Sequence, residues 1–173
     1  MNPRQAVKGL PCHIKIPTLK KLKLSFVAIA LLTAGTAFCQ VTKITLGVDG
    51  FTCSLCAKGV EGQIKSLEFV ESVVTDLKNT TFSLTVKKSV NIDFKSLREA
   101  VTDGGFTVRD IVLTGEGTVN RTSKGILRVD TGNTPVLELH GVMEDITGEE
   151  KAAFKGKLSA DSKSINISEL RKL

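Results

Sequence analysis

Two cysteines three residues apart, Cys53 and Cys56, stand where a strand-like segment gives way to a helix-like one. A Cys-x-x-Cys pair at a helix start suits two chemistries, the holding of a thiophilic ion between two thiolates and exchange between dithiol and disulfide. Thiolate is the working form in both. The exposed N–H groups and dipole of a helix start lower a thiol's pKa, so Cys56, in the first helical turn, is expected to shed its proton near neutral pH. Cys53, one turn earlier on a loop, is expected to swing to meet it. Two soft sulfurs with no imidazole or carboxylate between them suit Cu(I) or Hg(II), which accept two-coordination, while Zn(II) wants four ligands. An under-coordinated ion near the surface leaves room for a partner's cysteine to attack, so transfer by ligand exchange becomes open to such a site.

The other chemistry-bearing residues are sparse. Of the four cysteines, Cys12 and Cys39 lie in or at the edge of a front segment with targeting character, so the body keeps only the pair. A disulfide across so short a loop constrains the unfolded chain little, which points to chemistry and not to scaffold stability. The body has a single histidine, His140, and no Ser/His/Asp or paired-carboxylate constellation, so no catalytic residues and no enzyme activity are expected. His140 and Met143 together suggest a second copper site, but a lone His and Met beside Gly141 are more often structural.

Charge sorts the chain into a front and a body. The formal charge is +6, and the six basic residues before Gln40 (Arg4, Lys8, Lys15, Lys20, Lys21 and Lys23) account for all of it. The neutral body, without Trp or Tyr, lacks the electrostatic footprint and stacking surface of a nucleic-acid binder. After Lys20-Lys21-Leu22-Lys23 comes an apolar run from Leu24 to Phe38, the pattern of an export signal over residues 1–39. At 15 residues it falls short of the ~20 a membrane-crossing helix needs, so no permanent span is expected after its removal. Lipid-modified cysteine signals want a small residue before the cysteine, and Phe38 precedes Cys39, so the expected mature form begins at Gln40 without lipid. The body is accordingly placed in the periplasm or cell envelope.

The pair must be positioned by what surrounds it. Ile44, Leu46 and Val48 alternate with polar or small residues, the period of a half-buried strand, which Asp49-Gly50 breaks. From Ser54 the apolar positions Ala57, Val60, Ile64 and Leu67 recur at helical spacing. Val73 and Leu77, then Phe82, Leu84 and Val86 about Lys78-Asn79-Thr80, form a hairpin. Asn91 is placed to cap a second helix with Phe94, Leu97, Ala100 and Val101 on its buried stripe, ended by Gly104-Gly105. A fourth strand is expected from Phe106 to Leu113. The order is β-α-β-β-α-β, an α+β ferredoxin-like sandwich with two helices on a four-stranded antiparallel sheet. The expected core is Ile44, Leu46, Val60, Ile64, Leu84, Val86 and Leu97.

Gly50-Phe51-Thr52-Cys53-Ser54-Leu55-Cys56 resembles the Gly-Met-Thr-Cys-x-x-Cys signature of the heavy-metal-associated domain family, which includes copper chaperones, amino-terminal domains of metal ATPases and the periplasmic mercury-binding protein. The resemblance runs from about Val41 to Leu113 and extends to the element order and the Gly105-Phe106 pair. It implies Cys53 and Cys56 as metal ligands, and a donor or acceptor protein such as a membrane metal transporter as partner. Phe51 replaces the family's Met as a hydrophobic support. Thr52 stands where zinc-selective relatives carry Asp, which favours Cu(I), with Hg(II) and Zn(II) as alternatives. A thioredoxin-like redox role uses the same cysteine spacing, but Ser54-Leu55 and the strand order fit it poorly.

After Gly115-Glu116-Gly117, read as a linker, the text turns to short strands at Ile126–Val129, Val136–Leu139, Phe154–Leu158 and Ile165–Leu170, with Thr131-Gly132-Asn133 as a turn. Residues 40–115 are thus expected to form the metal-binding domain, and residues 116–173 a small all-β unit patterned like an OB-type barrel, or else a β extension packed on the first domain.

Overall fold

The computed structural model describes residues 39–50, 53–141, 146 and 148–173. The front segment with its targeting pattern, and with it Cys12, lies outside the described residues, as do Phe51, Thr52 and Met143. Strand β1 (Val41–Asp49) leads into helix α1 (Ser54–Lys65), followed by β2 (Val70–Asp76), β3 (Thr81–Val86) and helix α2 (Phe94–Thr102). The long strand β4 (Thr107–Arg121) follows, then β5 (Leu127–Asp130), β6 (Leu137–His140), β7 (Glu150–Leu158) and β8 (Ser164–Lys172). Among the described residues no helix is long and apolar enough to cross a membrane.

Alternation puts one face of β1 against the helices. Ile44 pairs with Leu84 on β3 and Leu113 on β4, Leu46 with Phe82 and Ile111, and these side chains are at most 1% exposed. Onto them α1 lays Ala57, Val60 and Ile64, and α2 lays Phe94, Leu97 and Val101. Each large apolar side chain so buried contributes about 1.5–3 kcal/mol relative to exposure. All seven residues expected in the core are buried.

The cap of α2 is Asp93 and not Asn91. Its Oδ1 accepts N–H groups from Lys95 at 2.9 Å and Ser96 at 3.3 Å, satisfying donors that the first turn leaves orphaned. Hydrogen bonds from the Ser96 hydroxyl and backbone hold its carboxyl below the usual carboxylate range. Asn91 stands two residues too early, because Ile92 is held outside the helix by donating its N–H to the Asn133 carbonyl at 2.8 Å.

The sheet does not stop at four strands. Its order is β2-β3-β1-β4-β5-β6-β8-β7, with a further β4–β7 pairing, so the expected four-stranded sheet is one half of an eight-stranded one. Strand β4 runs straight through Gly115-Glu116-Gly117, the presumed linker. At Gly115 the strand passes so close to the start of β1 that a Cβ would come within 2.5 Å of the Gln40 carbonyl oxygen. The glycine therefore serves close packing of two backbones, a use that composition alone does not separate from linker flexibility.

Beyond that point β4-β5-β6-β8-β7 closes back onto β4, with β6 and β8 parallel and the other pairs antiparallel. The all-β character expected of the tail is what the structure has. Where β1 begins, the turn after β5 joins it: the Asn133 amide receives the Val41 N–H at 2.9 Å and donates to the Val41 carbonyl at 3.0 Å, imitating a ladder partner. Arg98 on α2 also donates to the Ser159 carbonyl at 3.2 Å, tying the helix layer to the β7–β8 turn. One apolar core runs through both halves, and the described residues form one compact unit across residue 115.

Candidate metal centre

The site is built at the end of β1 farthest from the β5 turn. Asp49 closes the strand, Gly50 turns it with φ +101°, and the half-buried Phe106 ring stands 3.5 Å from where a Gly50 Cβ would be. Phe106, from the Gly105-Phe106 pair singled out by the sequence, thus lies against Gly50 where β1 ends.

Cys53 is the N-cap of α1, with φ −119° and ψ 144°, and its Sγ accepts the Cys56 N–H at 3.2 Å while its carbonyl accepts the Ala57 N–H at 3.2 Å. A sulfur therefore stands where Ser, Thr or Asp normally caps a helix. Both cysteines are exposed and unpaired by disulfide.

The expected division of labour between the two thiols is reversed. The Cys53 pKa is lowered, chiefly by a hydrogen bond from the Cys56 side chain and then by the Cys56 N–H; the Cys56 pKa is raised by that same side-chain bond. The cap position aims the Cys53 sulfur at the free N–H groups, whereas Cys56, already inside the turn, serves as donor to it. These contacts favour the thiolate form at Cys53 over Cys56.

Among the described residues no three His, Cys, Asp or Glu side chains come together. The acids nearest the pair in sequence are engaged elsewhere: Asp49 Oδ1 accepts from Arg109 Nη1 at 3.1 Å, and Glu61 Oε2 from Thr75 Oγ1 at 2.7 Å. His140 sits exposed at the end of β6, where it lines a cavity together with Val108, Arg109 and Asp110. The donor set on offer among the described residues is two soft sulfurs, which suits a soft ion that accepts two-coordination. Sequence reasoning missed Arg109 and Asn133, since one charged residue in a strand and one Asn in a turn carry no pattern until the fold supplies their partners.

Residues 45–107 match the family model "Heavy-metal-associated domain". This segment is a heavy-metal-associated domain. Over 66 residues the chain is 35% identical to the "Probable copper-exporting P-type ATPase" of Archaeoglobus fulgidus, a match covering 38% of this chain but 8% of that protein's length. Among solved structures, the yeast copper transporter domain Ccc2a, studied in apo and Cu(I)-loaded states, is 25% identical with a TM-score of 0.35, covering 39% of this chain and 90% of its own. The CopZ metallochaperone is 25% identical with a TM-score of 0.36, covering 39% of this chain and 98% of its own. The heavy-metal-associated domain carries Cys53 and Cys56 within the matched stretch, and residues beyond 107 lie outside it.

Proposed function

We propose that this chain is a carrier that holds Cu(I) between Cys53 and Cys56 and passes it on by ligand exchange, with no catalytic step of its own. The observation that carries the reading is the pairing of two exposed thiols at one helix start, one of them capping the helix through its sulfur, with both neighbouring acids engaged elsewhere. Two sulfurs satisfy Cu(I) weakly enough for a third thiolate from a partner to add before the first ligand leaves. The partner class is a metal donor or acceptor, such as a membrane metal transporter. Residues 116–173 together with β4 are read as an OB-type barrel that braces the heavy-metal-associated domain.

The carrier is proposed to work outside the cytoplasm, supported by the basic run before Leu24 and the apolar run to Phe38. Intact mass of the exported form checks this, with a start at Gln40 and no acyl chain expected. The metal reading is checked by titration with Cu(I) under a competing chelator, where one ion per chain is expected. Cys53, its pKa lowered by the hydrogen bond from Cys56, also offers the chemistry of dithiol exchange. Insulin reduction that persists after strict metal removal, with no Cu(I) bound, would replace the carrier by a redox module.

A further inference from the structure

Beside the cysteine loop lies a built polar feature that two-thiolate binding does not itself use. Arg109, on β4, carries its guanidinium across β1 at Gly47, where a Cβ would overlap the Asp110 carboxylate and lie 2.9 Å from Arg109 Nη2. From there Nη1 donates to Asp49 Oδ1 at 3.1 Å and to Thr80 Oγ1 at 3.0 Å, and Nη2 donates to the Asn79 carbonyl at 3.3 Å. One side chain therefore joins β4, the last residue of β1 and the β2–β3 turn. That turn is itself fixed: Thr80 has φ +51°, and its carbonyl accepts the Val48 N–H at 3.0 Å. The β1–β4 register shifts between Gly47 and Val48, an irregularity that re-aims the strand end just before the loop. Arg109 grips the re-aimed end at its last residue.

We propose that Arg109 is a positioning residue for the Cys53–Cys56 pair: by holding Asp49 it sets where the loop leaves the sheet, and so where Cys53 is presented to an incoming metal or thiol. The inference rests on the carrier reading for its metal arm. Half-exposed ion pairs add little to global stability, and the Arg109 and Asp49 side chains are 40% and 55% exposed, so the effect belongs to the site and not to the melt. A two-point site gains affinity when its ligands are held near the bound geometry, because less ordering remains to be done on binding.

The test compares wild type with Arg109→Gln, Arg109→Lys, Asp49→Asn and the Arg109→Gln/Asp49→Asn double variant in two assays. One is Cu(I) competition against a chromophoric chelator. The other, free of metal, is the equilibrium with glutathione, in which the two thiols give two electrons and two protons to glutathione disulfide and close as Cys53–Cys56. Arg109→Gln and Asp49→Asn are each expected to weaken Cu(I) binding and to move the glutathione equilibrium by about threefold or more. The double variant should do no more than the larger single, since both cut one link. Arg109→Lys should recover part of the loss, a charge reaching one partner where the planar fork reaches three. Values within about twofold of wild type for both singles, or additive effects in the double, overturn the proposal. Should Arg109→Gln not fold, Asp49→Asn decides by the same thresholds. Failure of wild type to bind Cu(I) would sink the carrier reading, while the glutathione equilibrium would still judge Arg109.

Discussion

Two stretches of β4 treat polar groups in opposite ways. Midway along it, where Gly115 meets Val41, the chain closes on itself: Thr131 and Asn133 are 0% and 2% exposed, and the Asn133 amide satisfies both backbone groups of Val41. At its N-terminal end, beyond Phe106, two thiols stand in solvent and one of them serves as a helix cap. Reactive groups tolerate exposure there because no core residue depends on them. The core is assembled from Ile44, Leu113 and their neighbours, which a single strand carries from one half into the other. Stability and chemistry are thus separated along one strand, an arrangement that lets the ligands move without loosening the fold.

The comparison breaks most sharply at the ligands. Cys53→Ser or Cys56→Ser alone should weaken Cu(I) binding by about a hundredfold or more, because one thiolate cannot replace a two-sulfur site. Circular dichroism should show the same fold in both variants. Unchanged affinity in either would mean that the exposed end is not the binding end.

A cut in the shared core should do the reverse, lowering stability while leaving the thiols in place. Leu113 is fully buried and pairs with Ile44 on one side and Gly156 on the other. Leu113→Ala should cost about 2–5 kcal/mol. Amide exchange should lose protection together at Leu46 and Ile165, one in each half. Loss confined to one half would show that the two fold as separate units and that β4 couples them only in geometry.

The smallest expected effect lies at the Asp93 cap. Asp93→Ala should cost about 1 kcal/mol at neutral pH, and Asp93→Asn much less, since Asn caps nearly as well. Because the folded-state pKa of Asp93 is lowered, the charge-dependent part of its contribution is present above the unfolded-state carboxylate value and lost as pH falls through the folded one. Denaturant melts of Asp93→Ala and wild type should therefore converge as the pH is lowered below the usual carboxylate range. A gap that stays constant with pH would assign the stabilisation to hydrogen-bond geometry alone.

The sequence by itself determined what periodicity and a local motif encode. Alternation at Ile44, Leu46 and Val48 and the helical spacing of Ala57, Val60 and Ile64 report which face each element buries, and that preference is set by the residues themselves. The Cys-x-x-Cys pair at a helix start likewise reads directly, because the groups that make it reactive are its immediate neighbours. Tertiary structure decided what depends on approach between distant segments. Gly115 reads as flexible until β1 lies against it. Asn91 reads as the cap of the second helix until Asn133 claims the N–H of Ile92 and Asp93 takes the cap position. Which thiol ionises first turns on whether Cys53 or Cys56 occupies the cap, a matter of one residue in the helix boundary. Arg109 acquires a role only when Asp49, Asn79 and Thr80 are brought within reach, at sequence separations of about 30 and 60 residues that no local pattern spans.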